Sequence, residues 1–584
     1  MLATSVVVCA QPDTLDRWRI PKKLTQKALQ TVRYRPEADS VFSFKSEAAF
    51  LPYAGKIIRH IDVQRFDLNR TVQDTTRTLT NTVVRLGQKL HSKTREAVIR
   101  DNVFFKAGQP LNPYRLADNE RYLRDLEFIL DSRIYVTPVS EDSVDVLVIT
   151  RDVFNWGVSG APESPTSGWF RVVNNNVLGQ GQRVQVIGKF NTDRTPWVGT
   201  EWLYRKVNLF GSFIDFTAAY SQINTGRSLG GEEEHSLYLR LDRPLFMPFA
   251  RWAGAAEWSY NASQNAFGKP VAEFARYRYN VEDIWLGYSF GAPQVSGREN
   301  RNRLFVSTRF YHQFFSLLPT EEVRAADQLA FANRLSALGQ LTLFKQNFYK
   351  TKFIFGFGRT EDVPYGYSIN LTTGWEQQLG TERSYAGITG RKMYAHRNAS
   401  FTVVEATAAG YLRQQKSEDV YLALRLSYLG PLRELGKWKV RHAGEGGYGL
   451  IHNRNLKSLL DINLENGLPG FRADSLRGSR RWKAGYQAVV YVPGQLIGFR
   501  FALVPQINFA WINQPSDNSK GLYQAYSLAL RTRNENLVFN TVEVRGFFYP
   551  ETVAGTRSFL VRVTANLRLR YPTELVSAPA TVLN

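Results

Sequence analysis

From about residue 153 to residue 571, apolar residues recur at every second position. In the run that ends this stretch, Phe559, Val561, Val563, Ala565, Leu567, Leu569 and Tyr571 share one face. Ser558, Leu560, Arg562, Thr564, Asn566, Arg568 and Arg570 share the other. The same alternation sets Leu237, Leu239 and Leu241 opposite Tyr238, Arg240 and Asp242. It sets Val420, Leu422, Leu424, Leu426 and Tyr428 opposite Tyr421, Ala423, Arg425 and Ser427, and aligns Phe501, Leu503, Ile507, Phe509 and Trp511. Successive side chains of a strand point to opposite faces, so these runs are strands with one apolar and one polar face. A soluble sandwich alternates too. Three features favour lipid: runs of roughly 9–11 residues, enough for a tilted strand to cross a bilayer; aromatics such as Tyr428, Trp511, Phe559 and Tyr571 near run ends; and polar faces bearing Arg and Gln, which suit a wet lumen better than a dry core.

The fold class expected is mainly β: a transmembrane antiparallel β-barrel over 153–571, with about sixteen strands for this length and room for long outer loops. Roughly twenty alternating segments are present, the surplus being read as hairpins within those loops. Pro505 lies inside a strand pattern and lacks a ladder donor, so a bulge is expected there.

Composition closes off other classes. The 37 Phe, 28 Tyr and 12 Trp exclude a disordered chain. No apolar run approaches the roughly 18 residues of a transmembrane helix; Met1–Ala10 is the longest. Residues 1–10 read as the remnant of a signal peptide ending in Val8-Cys9-Ala10, with no Lys or Arg before Arg17, which places the true start upstream. Cys9 is the one cysteine, so a cleaved chain has none, as suits a periplasmic or outer-membrane protein that folds without disulfides. Residues 11–55 form a basic periplasmic leader with Arg17, Arg19, Lys22, Lys23, Lys27, Arg33 and Arg35. A solvated arm and an amphipathic arm on anionic lipid are both open readings.

Residues 56–152 read as a small α+β domain. Ile57, Ile61 and Val63 belong to a first strand, followed by a polar insertion. Helices follow over Arg95–Phe105 and Asn112–Leu126, the first stopping at Gly108 and the second turning Leu116, Leu123 and Leu126 to a core. Strands Ser132–Val139 and Ser143–Arg151 then turn around Glu141-Asp142. The order is β-α-α-β-β, with one sheet edge left available. Residues 572–584 form a tail.

A β-α-α-β-β unit directly before such a barrel resembles a single POTRA domain. The chain over 56–571 resembles the POTRA-bearing outer-membrane translocator superfamily, which includes the BamA/TamA assembly factors, bacterial surface-antigen barrels and two-partner secretion pores. Asn176-Val177-Leu178-Gly179-Gln180-Gly181 is similar to the family's Asn-x-Leu-Gly-x-Gly turn. Gly467, Leu468, Pro469, Gly470 and Phe471, after Asn466, resemble the tip of its inward loop. Five alternating segments follow, starting near 479, 500, 524, 540 and 558. Phe559, Val561, Leu567, Leu569 and Tyr571 resemble the seam and terminal β-signal, with Asn566 where Gly is usual. The family's loop-tip Arg is Pro469 here, and its partner Asp is absent from Phe509-Ala510-Trp511, so both halves of an ion pair are missing together. Val544-Arg545-Gly546-Phe547 matches the tip better but leaves room for only one more strand, and is read as strand.

The resemblance implies insertion or translocation of polypeptides at the outer membrane of a Gram-negative bacterium, with the POTRA domain in the periplasm. The POTRA edge is expected to take clients by β-augmentation, and the seam between first and last strands to template or pass them. Expected partners are outer-membrane lipids, unfolded or secreted polypeptides, and periplasmic or lipoprotein partners. A transport pore or lipid-handling barrel without foldase activity, and a purely structural surface barrel, are the alternatives.

No enzymatic site, cofactor or metal is expected. The seven histidines are dispersed, no nucleophile–base set stands out, and strand pattern rather than a helix follows Gly179-x-Gly181, so that pair reads as a turn. Glu232-Glu233-Glu234 and Arg359–Asp362 read as solvated loops. The net charge of +22 lacks any interleaved aromatic–basic motif for nucleic acid, so no nucleic-acid partner is expected. Arg240, Arg425, Arg562, Arg568 and Arg570 are expected to line the lumen and favour anions.

Overall fold

The computed structural model describes residues 44–66, 91–567 and 576–582, apart from 165, 230, 248–249, 292–300, 327, 355, 359, 397, 457–458, 464–466, 474, 495, 497–498, 514–519, 535–540 and 554–555. The expected signal segment, most of the basic leader and the polar insertion after the first strand lie outside the described residues.

After the two-residue β1 (Phe44–Lys45), β2 (Ile57–Phe66), α1 (Glu96–Arg100), α2 (Pro113–Asp125), β3 (Ile129–Pro138) and β4 (Ser143–Asp152) follow in the expected β-α-α-β-β order. The sheet order is β2-β4-β3, with β2 parallel and β3 antiparallel to β4. Ile58, Ile99, Leu116, Leu123, Leu126, Phe128, Val144, Val146 and Val148 form one core between helices and sheet. Asn112 starts α2: its side-chain oxygen accepts from the Tyr114 and Arg115 amides, both at 3.1 Å, with Pro113 at the first helical position.

The first helix is shorter than its apolar spacing predicts. It ends at Arg100, because Asn102 turns its amide onto the Val98 carbonyl at 2.7 Å and Asn119 takes the Phe104 amide at 3.0 Å. Local side-chain hydrogen bonds compete here with the helix ladder and win.

The rest of the chain is almost entirely strand: β5 (Trp156–Ser164), β6 (Ser167–Asn174), β7 (Gln182–Asn191), β8 (Val198–Lys206), β9 (Asp215–Ser221), β10 (Glu233–Arg243), β11 (Trp252–Gln264), β12 (Arg278–Phe290), β13 (Arg303–Leu317), β14 (Arg334–Thr351), β15 (Glu361–Gln378), β16 (Thr381–Ala395), β17 (Phe401–Arg413), β18 (Lys416–Leu435) and β19 (Trp438–His452). A short ribbon, β20 (Leu460–Asp461) with β21 (Arg477–Gly478), precedes β22 (Arg480–Tyr491), β23 (Phe499–Asn513), β24 (Lys520–Asn534), β25 (Thr541–Phe548) and β26 (Phe559–Leu567). All but β20 and β21 join one sheet, in which β9 pairs with β10 and β26 neighbours β5.

That sheet corrects the strand count. Leaving out β1, it holds twenty strands among the described residues rather than sixteen. The segments taken for hairpins inside outer loops belong to the main ladder, because the turns between strands are short: β15 and β16 are separated by two residues, as are β17 and β18. The five strands after the inward loop fall where expected. Pro505 makes no bulge. Its ladder runs Gln487↔Gln506 and then Val490↔Leu503 in unchanged register, and Pro505 stays opposite Leu528 on β24.

Burial separates the two faces of the sheet. Leu237, Leu239, Leu241, Leu422, Leu424, Leu426, Leu503, Ile507, Leu528 and Val544 are exposed, whereas many of the buried side chains are charged. Leu424 is 54% exposed and Arg441 only 1%, the inverse of a sheet that faces water. Among the described residues, no helix is long and apolar enough to cross a membrane.

Candidate functional site: mouth, inner face and seam

Two turns at one end of the sheet hold the three-stranded unit. In the first, Leu178 and Gly179 take positive φ values of 53° and 71°, and the Asn176 side-chain oxygen accepts from the Gly181 amide at 2.7 Å. The Asn176 amide donates to the Thr94 hydroxyl at 2.8 Å, and Asp152 accepts from both the Thr94 amide and its hydroxyl, at 2.7 and 2.9 Å. The Arg95 amide donates to the Gly179 carbonyl at 2.8 Å. A Cβ on Gly179 would stand 2.1 Å from the Lys93 carbonyl oxygen, so glycine is required there for close approach as well as for φ.

One hairpin later the construction repeats. Asn208-Leu209-Phe210-Gly211-Ser212-Phe213 places Phe210 and Gly211 at φ of 52° and 73°. The Asn208 side-chain oxygen accepts from the Phe213 amide at 2.7 Å, while its amide donates to the Asp101 carbonyl and the Asn102 side chain, both at 3.0 Å. Phe213 stacks on Phe246 at 4.0 Å, and both rings meet Phe104 and Tyr122 of the small unit. Sequence reading singled out only the first turn. The matching Asn-x-Phe-Gly was the signal for the second.

Helix α2 lies across this end of the sheet. Ten of its residues are buried, including Asp118, Glu120, Arg121 and Arg124. Arg124 donates to Asp362 of β15 through Nε and Nη2 at 2.8–3.0 Å, and Glu120 takes Lys350 of β14 at 2.6 Å. Asp118 pairs with Arg301 at 3.0 Å, just before β13. Burial opposes ionisation of Glu120, but Lys350, Arg124 and Arg133 hold its carboxyl down at about 2. Burial likewise opposes the Arg124 charge, and Asp362 and Glu120 outweigh it and raise its pKa. The same side chains cap the outer edge of β3: Arg124 donates to the Ser132 carbonyl at 2.9 Å, and the Ile134 amide donates to Glu120 at 3.0 Å.

These contacts correct two expectations. Of Arg359–Asp362, Arg359 lies outside the described residues, and Asp362 is a docking residue, its side chain only 9% exposed, rather than part of a solvated loop. Glu232, Glu233 and Glu234 are all buried as well. Glu232 binds Lys269 at 2.8 Å, Glu233 lies 3.6 Å from Lys189 and from Arg194, and Glu234 accepts from the Tyr277 hydroxyl at 2.8 Å. A triple acid looks solvated in sequence because its cationic and phenolic partners come from distant strands.

The inward loop packs on the inner face of the sheet. Leu468, Phe471, Ala473 and Leu476 form one apolar cluster with Ala510 and Ile512 of β23, Ala525 of β24, and Phe547 and Tyr549. The Phe471 ring lies 5.4 Å from Tyr549 and 6.2 Å from Tyr523, and the Tyr549 hydroxyl donates to the Pro469 carbonyl at 2.8 Å. Gly470 has φ of 81°, and a Cβ there would approach the Tyr549 hydroxyl to 2.6 Å. Gly467 is held against Ile462, whose carbonyl oxygen a Cβ would approach to 2.5 Å. Ala510 thus lies in an apolar cluster and Pro469 is held by its carbonyl, at the two positions where the family's charged latch is missing from the sequence. Val544-Arg545-Gly546-Phe547 lies in β25, as read.

Of the seam residues, Phe559 and Val561 are exposed on the outer face of β26. The Leu567 side chain, Leu569, Tyr571, Arg568 and Arg570 lie outside the described residues. Arg240 is already compensated, by Glu257 at 2.8 Å and Asp242 at 2.6 Å. Arg425 shares a cavity with Glu405, Arg481 and Lys483, and Arg562 lies 5.6 Å from the centre of the Phe547 ring. These three cations stand on β10, β18 and β26 respectively. No group of three or more His, Cys, Asp or Glu among the described residues is placed to hold a metal ion.

No family model matches the sequence, and no curated protein matches it. Among solved structures, the chain is similar to BamA from Haemophilus ducreyi lacking POTRA domains 1–3, at 12% identity over 87% of this chain and 85% of that one, with a TM-score of 0.32. It is similar to CdiB from Acinetobacter baumannii at 9% identity over 92% and 95%, with a TM-score of 0.35. It is similar to CdiB from Escherichia coli at 11% identity over 89% and 79%, with a TM-score of 0.39.

Proposed function

We propose that residues 153–571 form a closed barrel in the outer membrane that inserts or translocates polypeptides, with residues 56–152 as a periplasmic POTRA domain. The observation that carries this reading is the uneven height of the wall. On the flank that starts at the seam, β5, β6, β7, β8 and β9 have 9, 8, 10, 9 and 7 residues, against 18 each in β14 and β15. Each residue lost from a ladder removes a share of its hydrogen bonds, so the ring opens more readily on this short flank, which ends where β26 meets β5, than between β14 and β15. An opened seam exposes strand edges to which an extended client can add. The polypeptide is the client, lipid is the solvent of the outer face, and periplasmic or lipoprotein partners would meet the POTRA domain.

The test combines two measurements. A photocrosslinking residue at Phe559 or Val561 should capture nascent outer-membrane or secreted polypeptides in cells. Depletion of the protein should lower specific proteins in an outer-membrane inventory. An unchanged inventory together with no crosslinks overturns the reading.

A further inference from the structure

After β26 the described chain resumes at Val576, and it does not leave the protein. Val576 is buried among Ala253, Ala255, Trp285, Phe305 and Phe344, inner-face residues of β11 to β14, with Ala578 alongside. Arg309 of β13 donates to the Pro579 carbonyl at 3.0 Å. Arg334 of β14 donates to the Thr581 hydroxyl at 3.2 Å, and the Val582 amide donates to the Tyr385 hydroxyl of β16 at 3.0 Å. The segment therefore runs along the inner wall from the level of Phe344 towards Arg334.

Two properties of this wall bear on what else it holds. Its cations are fixed without the tail: Asp283 grips Arg309 at 2.7 and 2.8 Å, and Glu376 grips Arg334 at 2.7 and 3.0 Å. The donors are thus oriented in advance, and emptying the site leaves no uncompensated charge. Part of the recognition falls on the backbone. Arg309 and Tyr385 meet a main-chain carbonyl and a main-chain amide, and the side chains seated on the wall are small: Val576, Ala578, Pro579 and Thr581. Main-chain contacts give affinity with little demand on sequence.

We infer that the inner face of β11 to β16 is a binding track for extended polypeptide, and that residues 576–582 are its occupant in cis. This rests on the reading of the chain as a polypeptide-handling barrel and names the ligand class of its lumen. An incoming extended segment competes with the tail, which bars the lumen when no client is present.

The test uses full-length protein in planar bilayers beside a variant ending at Tyr571, with a synthetic peptide of residues 574–584 as probe. Truncation should raise conductance, and added peptide should lower it again. A scrambled peptide of the same composition should bind nearly as well. Arg309→Ala should weaken peptide binding about ten-fold, as expected from losing one charge-assisted hydrogen bond. Should the truncated chain fail to fold, Ser336→Cys with Thr581→Cys in a Cys9→Ser background keeps the tail and ties it to a residue lining the same cavity. Oxidation should then hold conductance low, and reduction should restore peptide sensitivity. Conductance indifferent to truncation and to the peptide, or to the redox state of that pair, overturns the track. A track that binds peptide in a protein whose depletion leaves the outer-membrane inventory unchanged keeps this inference and removes the client reading; the reverse result does the opposite.

Discussion

Arg124 and Asp362, 238 residues apart in sequence, form a bidentate ion pair that fastens helix α2 of the small unit to the end of strand β15. Both side chains are almost fully buried, so neither charge can turn to water if the other is lost. Removing one partner of such a pair costs about 3–5 kcal/mol. Arg124→Ala or Asp362→Ala should therefore loosen the small unit and expose the segment around α2 to protease. The double variant should be less sensitive than the sum of the two singles. Additive effects would show that the pair does not hold the joint.

The joint should also respond to acid. Glu120 has an ordinary carboxyl value of 4.5 and is held at about 2 in the folded protein. A depressed carboxyl contributes stability that is complete above about 4.5 and is lost as pH falls from there towards 2. Protease resistance of the small unit, measured after acid exposure, should fall across that window. In Glu120→Gln the slope should disappear. A variant that keeps the wild-type slope would assign it to other groups.

The two asparagine turns should matter to similar extents. Asn176→Ala strands the buried Gly181 amide and Asn208→Ala the part-buried Phe213 amide, each with a partner in the small unit, at a cost of about 1–3 kcal/mol. Gly179→Ala should be worse than either, since its Cβ would collide with the Lys93 carbonyl. The thermal midpoint of unfolding orders the three variants. A tolerated Gly179→Ala would mean that the turn does not pack as described.

The apolar latch gives a further prediction. Phe471→Ala should cost about 3–5 kcal/mol, because it empties the cluster that fixes the inward loop. Ala510→Asp alone should also destabilise, by placing a carboxylate in that cluster. Adding Pro469→Arg should recover part of the loss through positive coupling in a double-mutant cycle. The readout is again the thermal midpoint, and independent, additive changes would show that the tip and β23 do not meet.

If the sheet closes in lipid, no edge is free and detergent opens it slowly. Unheated and boiled samples should then migrate differently on a gel. Identical migration, with release by alkaline wash, would count against the barrel.

What the sequence disclosed depended on how local the cause was. Alternation in Leu237–Leu241 or Leu422–Leu426 is a nearest-neighbour property, and it identified both faces of the strands. Asn112 and Pro113 marked the start of α2 for the same reason. The docking role of α2 was hidden, because Asp118, Glu120 and Arg124 find Arg301, Lys350 and Asp362 across much of the chain. A polar helix in isolation reads as solvated. Glu232-Glu233-Glu234 misled for that reason too. Phe471 was legible as part of the loop tip, but its partners Tyr523 and Tyr549 lie far along the chain, where no local pattern discloses them.

The short strands at the seam have a consequence for the surrounding lipid. Nine residues at about 3.3 Å each, tilted by about 40°, reach only some 23 Å along the bilayer normal, less than the roughly 30 Å of hydrocarbon. The 18-residue strands on the opposite side exceed that thickness even when tilted. If the sheet closes in lipid, the bilayer beside the short side must thin or disorder to avoid leaving acyl chains against polar wall, while lipid beside the tall side need not. The protein would then deform its membrane on one flank only, the flank that runs from β5 to β9.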